Sequence, residues 1–107
     1  MNDVTLLVAY VRPARRAAVA QALRQVGMAG WTESEVLGHG SAVGGHGVPH
    51  ARFEVIVATE HIDACENAVV AAAQTGADGD GFVITLPVLS VVRISDRSGG
   101  AGSLRGA

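Results

Sequence analysis

Apolar and polar residues alternate along the chain in patterns that predict β-strands and α-helices in turn. Residues 4–11 form a nearly continuous apolar run, which is typical of a strand covered on both faces. Residues 31–37 alternate weakly and predict a second strand. A third strand is predicted at residues 51–58, with Phe53, Val55 and Val57 on one face and Arg52, Glu54 and Ile56 on the other.

Two segments repeat their apolar residues at helical spacing, residues 14–26 and residues 60–74. Pro13 suits the first turn of the first helix, because its missing N–H would have no partner there. Thr59 is predicted to cap the second helix. The buried stripes are Val19, Leu23 and Val26 in the first helix and Ile62, Cys65 and Val69 in the second.

Glycine-rich segments separate these elements and end the chain. Gly and Pro favour turns and loops, and they are concentrated in a loop at residues 38–50 and a tight turn at 75–81. Two apolar runs, residues 82–86 and 88–94, meet at Pro87 and predict a last strand in two parts. The Gly/Ser-rich residues 98–107 predict a disordered tail.

The resulting order, β-α-β-β-α-β, predicts an α+β ferredoxin-like sandwich. We expect an antiparallel sheet with two helices on one face, in one domain that spans residues 1–97. The apolar residues on both faces of the first and third strands predict that protein covers the other sheet face. A monomer of 107 residues is marginally stable, so we expect oligomerisation to supply that cover.

Charge and composition exclude several classes of protein. A net charge of −2 and an aromatic content of 4% do not suit nucleic acid, which requires a basic patch or stacking platforms. Cys65 is the sole cysteine, so no internal disulfide is possible. The N-terminus lacks a signal-peptide pattern, and no apolar stretch approaches the roughly 20 residues of a membrane span. We therefore expect a cytoplasmic protein with no direct membrane insertion.

Four stretches of the chain resemble the PII signal-transduction family, in the right order through about residues 4–97. The most specific is the turn Thr-Gly-x-x-Gly-Asp-Gly at residues 75–81. The four stretches are VAYVRP at 8–13, VGMAGWTESEVLGHG at 26–40, AQTGADGDGFVI at 73–84 and LPVLSVVRI at 86–94.

The resemblance implies a regulatory homotrimer that binds an adenine nucleotide (ADP, AMP or ATP) in clefts between subunits. It also implies that the protein is not an enzyme. Such a protein signals to a regulated partner, for example a membrane transporter, through a flexible loop. The residues carried over by the resemblance are Thr32, Glu54 and Ile56 at the adenine and ribose, Gly38 and Gly40 at the start of the loop, Gly79, Asp80 and Gly81 at the phosphates, and Arg93, which completes the phosphate site.

The chain departs from the family pattern in two places. Phe82 and Ser95 stand where the family has a lysine and an arginine, and Arg97 is a candidate replacement. We therefore expect weaker binding, or a preference for AMP, ADP or cyclic AMP over ATP. The loop at 38–50 is shortened and lacks the modifiable tyrosine, which argues against regulation by nucleotidylation and against a 2-oxoglutarate response.

Two alternatives follow from the same residues. His39, His46 and His50 lie in the short loop, and imidazole binds zinc, copper and nickel, so a divalent metal site is the second hypothesis. The third is a structural trimer that has lost its ligand, suggested by Phe82 and Ser95. The glycine-rich turn could then be a helix C-cap alone, and Glu54 a solvated strand residue.

Overall fold

A computed structural model describes residues 2–40 and 47–104 of the chain. Its strands form one antiparallel sheet in the order β2-β3-β1-β4. This arrangement confirms the ferredoxin-like prediction. The strands and helices are β1 (Val4–Val11), α1 (Arg16–Gln25), β2 (Thr32–Gly38), β3 (Val48–Ala58), α2 (Ile62–Ala73) and β4 (Gly81–Pro87), and short 3-10 helices span Pro13–Arg15, Thr59–His61 and Ala101–Leu104.

The hydrophobic core lies between the sheet and the two helices. Leu7 pairs with Val55 and Ala9 with Phe53 across the central strands, and all four side chains are buried. Cys65 is a buried core residue, as its place on the apolar helix stripe predicts, and burial raises the pKa of its thiol. The helices meet this face through Val19, Leu23, Cys65 and Val69. Small branched side chains therefore fill the core, with Phe53 as its largest member.

The second face of the sheet carries apolar side chains that stay partly exposed. Leu6 lies between Ile56 and Leu86 in the strand pairing, and the latter two are 45% and 43% exposed. Burying apolar surface stabilises a protein by about 25 cal/mol per Å². This face therefore favours a further layer of protein.

Both helices begin later than the sequence pattern predicts. A 3-10 turn at Pro13–Arg15 precedes α1, and another at Thr59–His61 precedes α2. The predicted cap by Thr59 is wrong, because no side chain caps α2 and the Thr59 hydroxyl lies 2.8 Å from the Thr5 hydroxyl. The side chain of Thr59 therefore links this turn to β1 instead.

The third strand begins at Val48, three residues before the predicted start at Ala51. Pro49 pairs with Leu37, and His50 with Val36. Strand β1 pairs only with residues 51–58, so the first residues of β3 have a partner on one side alone. A proline, which lacks the N–H donor, is tolerated at such a position. The predicted loop at 38–50 is thus shorter at its C-terminal end.

The C-terminal part differs from the prediction of a second apolar strand at 88–94. Outside β4, the structure has an isolated bridge between Val92 and Gly99, and the Arg93 N–H donates to the Ser98 carbonyl at 2.8 Å. No neighbouring strand of the described chain is available to pair with this run, so Leu89 and Ile94 are 94% and 96% exposed.

The segment after residue 97 is described as far as Leu104, where the sequence predicts a disordered tail. It forms the 3-10 helix Ala101–Leu104, in which Ser103 is buried. The N–H of Ala101 donates to the Asp3 carboxylate at 3.2 Å, which ties the two ends of the described chain together. None of the helices in residues 2–40 and 47–104 is long and apolar enough to cross a membrane.

Candidate functional site

A cavity of about 750 Å³ lies where the end of β2 approaches the turn before β4. Gly38 and Gly40 come from the first segment, and Gly79, Asp80 and Gly81 from the second. Five of the nine predicted nucleotide-site residues therefore line one cavity, although the two segments lie far apart in sequence. The other lining residues are Tyr10, Val36, Leu37, His39, His50, Arg52, Ala77 and Phe82.

The carboxylate of Asp80 holds the turn at residues 75–81 together. Its Oδ2 accepts the N–H groups of Thr75 at 2.8 Å and Gly76 at 3.0 Å, and its Oδ1 accepts the Thr75 hydroxyl at 2.5 Å. The Nε of Arg12 also donates to Oδ1, at 2.9 Å. The Thr75 hydroxyl, and after it Arg12, hold the pKa of Asp80 well below its usual range. Asp80 is therefore an ionised structural residue of the turn.

Three glycines of this turn adopt backbone angles that other residues avoid. Gly76 and Gly79 have a φ of +88° and Gly81 a φ of +108°. A Cβ atom on Gly81 would also lie 1.7 Å from the Tyr10 carbonyl oxygen. Residues 78 and 79 form a hydrogen-bonded turn between Ala77 and Asp80, and within the part of the chain that the structure describes no hydrogen bond joins the Gly79 N–H to an acceptor. Successive N–H groups in such a turn form a concave binding place for an anion.

Arg12 is a residue of this region that the sequence analysis missed. Besides its contact with Asp80, its Nη2 donates to the Asp78 carbonyl at 2.6 Å. The strand register indicates its position: Val11 pairs with Gly81, so the residue after Val11 lies beside the turn. This position could be inferred only once the pairing of β1 with β4 was known.

Two histidines predicted as metal ligands, His39 and His50, also line the cavity. The His50 ring is largely buried, with its Nδ1 3.0 Å from the Val48 carbonyl, and it packs against Gly38. The His39 ring packs against Gly47 instead. His46, the third predicted ligand, lies outside the described residues. Among residues 2–40 and 47–104, no three His, Cys, Asp or Glu side chains are grouped as metal ligands.

Four predicted site residues do not line the cavity, although Glu54 forms an ion pair with the lining residue Arg52. Thr32 pairs with Glu54 between β2 and β3, and Ile56 is two residues further along β3 on the same face. Arg93 lies in the C-terminal segment, where its Nη1 is 3.9 Å from the Asp96 carboxylate. Within one chain the predicted residues therefore form separate groups.

The cavity carries one guanidinium and a large exposed aromatic ring. Arg52 contacts the Tyr10 hydroxyl through its Nε at 3.3 Å and forms an ion pair with Glu54. The Tyr10 hydroxyl, and after it Glu54, raise the pKa of Arg52. Phe82, where the family has a lysine, is 76% exposed. The side of the cavity next to the glycine turn is thus apolar at this position.

The pattern of matched residues and this geometry agree with the comparison against known families. The family model described as nitrogen regulatory protein P-II matches residues 4–98. The chain belongs to the nitrogen regulatory protein P-II family. Members of this family are signal-transduction regulators that form trimers and act on regulated partners, so a trimer is expected here.

The similarity to individual P-II relatives extends over most of this chain. A P-II homolog of Arabidopsis thaliana is 34% identical, over 80% of this chain, and the match spans about half (50%) of that longer protein. Nitrogen regulatory protein P-II of Klebsiella oxytoca and nitrogen regulatory protein P-II 1 of Escherichia coli K12 are each 31% identical to this chain. Each match covers 80% of this chain and 87% of the relative. A crystal structure of Arabidopsis thaliana PII bound to citrate superposes with a TM-score of 0.88 at 28% identity, covering 100% of this chain and 94% of that one.

Proposed function

We propose that this P-II protein binds an adenine nucleotide in the clefts between the subunits of a homotrimer and reports the bound state to a partner. The observation that carries the proposal is the cavity that joins Gly38 and Gly40 to the turn at Gly79–Gly81. The N–H of Gly79 has no acceptor in the described chain, and an N–H in such a turn suits a phosphate.

The remaining predicted residues fit a second half of the same site on a neighbouring subunit. Thr32, Glu54 and Ile56 share the sheet face that stays partly exposed in one chain. In the proposed trimer they hold the adenine and ribose beside the phosphate turn of the next subunit, and Arg93 completes the grip on the phosphates. Separation of the two groups within one chain is what an inter-subunit site requires.

The loss of two cations near the turn favours ligands with few phosphates. Phe82 and Ser95 replace two family cations, and each charge-assisted hydrogen bond so lost is worth about 1.5–3 kcal/mol. Arg97 has a φ of +60° and its N–H donates to the Arg93 carbonyl, so its backbone is fixed in a tight turn. We therefore propose that ADP, AMP or cyclic AMP binds more tightly than ATP.

Calorimetric titration of the metal-free protein with ADP, AMP, cyclic AMP and ATP tests this proposal. We expect one nucleotide per subunit, with ATP the weaker ligand. In Gly40→Glu the new side chain enters open space and places a carboxylate in the cavity, so affinity for ADP should fall by at least about tenfold. Ala64→Glu, on the exposed surface of α2, is the control. Absence of binding by all four nucleotides would contradict the proposal and favour a ligand-free structural trimer.

The proposed partner is a regulated protein such as a membrane transporter, and the proposed signal is a change in the loop between β2 and β3. Bound nucleotide contacts Gly38 and Gly40 at one end of this loop, so the bound and free states present different surfaces to the partner. Equal rates of proteinase K cleavage at residues 41–46 with and without ADP would argue against this coupling.

A divalent metal site is the second candidate function, because His39 and His50 line the same cavity. The apo-protein would be titrated with zinc, copper and nickel, with His61→Ala as the control for His39→Ala, His46→Ala and His50→Ala. His61 lies just before α2 and is exposed. Equal metal binding by the wild-type protein and all of these variants would rule out the loop histidines as ligands.

A further inference from the structure

Arg12 connects the end of β1 to the glycine-rich turn, 68 residues further along the chain. Its Nε donates to Asp80 at 2.9 Å and its Nη2 donates to the Asp78 carbonyl at 2.6 Å. These two acceptors lie on either side of Gly79. One planar guanidinium therefore contacts both residues that flank Gly79.

The guanidinium contacts the turn without lining the cavity. Gly79 and Asp80 line the cavity, whereas Arg12 does not. The Nη2 of Arg12 lies 3.3 Å from the position that a Cβ on Gly79 would occupy, so it packs directly against this residue. Arg12 thus contacts the backbone of a cavity residue while staying outside the cavity itself.

We propose that Arg12 is a positioning residue, which holds the Gly79 backbone and its N–H in the direction needed for an anionic ligand. The ligand class is the phosphate group of a nucleotide, and to that extent the inference rests on the proposed function. Arg12 acts through Asp80 and the Asp78 carbonyl and makes no contact with the ligand itself.

The need for such support follows from the composition of the turn. Glycine populates many backbone conformations, so a turn containing Gly76, Gly79 and Gly81 loses much entropy when it becomes ordered. Asp80 keeps three contacts with Thr75 and Gly76 if Arg12 is removed, but the Asp78 carbonyl then loses the donor that Arg12 provides. The part of the turn next to Gly79 should therefore become mobile first.

Hydrogen exchange of the ligand-free protein tests this role without reference to nucleotide binding. In Arg12→Gln we expect the amides that donate hydrogen bonds within the turn, those of Thr75, Gly76 and Ala77, to exchange several-fold faster, while those of the core strands stay unchanged. Loss of the guanidinium should also raise the pKa of Asp80, which NMR of its carboxyl carbon would follow. Arg24→Gln is the matched control, because Arg24 lies over the Trp31 ring, away from the turn.

Binding then distinguishes a phosphate-directed effect from a general one. Arg12→Gln should bind ADP roughly tenfold more weakly, since a misplaced turn loses charge-assisted hydrogen bonds, and should bind adenosine with wild-type affinity. Arg12→Lys should restore part of the loss. Weaker ADP binding with unchanged exchange in the free protein would overturn the positioning role, because it would indicate direct contact with the ligand.

The two proposals fail separately. If the wild-type protein binds no nucleotide but Arg12→Gln still speeds exchange at residues 75–77, the proposed function is wrong and the structural part of the inference holds. If exchange and Asp80 titration are the same in Arg12→Gln and the wild-type protein, Arg12 does not position the turn, whatever the protein binds.

Discussion

Two glycine-containing segments meet at the cavity, and they are held in place by different forces. The turn at 75–81 is organised around one carboxylate, Asp80, which accepts hydrogen bonds from Thr75, Gly76 and Arg12. The end of the β2–β3 hairpin is held by strand pairing, Gly38 with Val48, and by the His50 ring, which fills the space beside Gly38. The turn thus depends on hydrogen bonds to one charged side chain, whereas the hairpin end depends on a ladder pair and on the packing of one ring.

The largest effect is expected at Gly81, where the turn enters β4. In Gly81→Ala the added Cβ would lie 1.7 Å from the Tyr10 carbonyl oxygen, and the φ of +108° is strained for alanine. We expect the free energy of unfolding to fall by about 3 kcal/mol or more, measured by urea denaturation at fixed protein concentration.

Gly40→Ala is the control for this substitution, because its Cβ would meet no atom within 4 Å. It should change stability by less than about 1 kcal/mol. Equal stability of the two variants would show that the entry to β4 shifts easily, and the contrast between the turn and the hairpin end would not hold.

A smaller effect is expected at the hairpin. In Gly38→Ala the new Cβ would lie 2.9 Å from Nδ1 of His50, so the buried ring must move. We expect a loss of about 1–2 kcal/mol from overpacking. The double variant Gly38→Ala/His50→Ala should recover most of the Gly38→Ala cost relative to His50→Ala alone, in a double-mutant cycle of urea denaturation. Additive costs would mean that the His50 ring does not hold this end of the hairpin.

The order of strands and helices could be predicted from the apolar pattern of the chain. Phe53, Val55 and Val57 share the buried, helix side of the sheet, as the alternation in residues 51–58 predicts. The start of β3 was misplaced because Pro49 and the nearby glycines predict a loop, whereas pairing with β2 decides the boundary. The apolar run at 88–94 predicts a strand, but a strand also needs a partner.

Within the site, local motifs could be predicted and long-range contacts could not. The glycines at 79 and 81 follow from the turn motif, and both adopt the positive φ that glycine permits. Arg12 was missed because its ion pair with Asp80 joins residues 68 apart in sequence. A side-chain contact of that span is set by strand register, which a single sequence specifies only after the topology is known.

The smallest effect is on the pH dependence of stability, to which Asp80 contributes in the turn at 75–81. Hydrogen bonds from Thr75 and the Arg12 guanidinium lower the pKa of Asp80 in the folded state, whereas an unfolded aspartate titrates near about 3.9. The stability that Asp80 contributes is therefore fully present above about pH 4–5 and is lost as the pH falls through the lowered value of the pKa.

Asp80→Asn should show a smaller gain in urea midpoint between pH 3 and pH 6 than the wild-type protein. Asp78→Asn is the control from the same turn, because the described chain gives its carboxylate no hydrogen bond or ion pair. If both variants change the pH dependence equally, Asp80 is not the group that organises the turn.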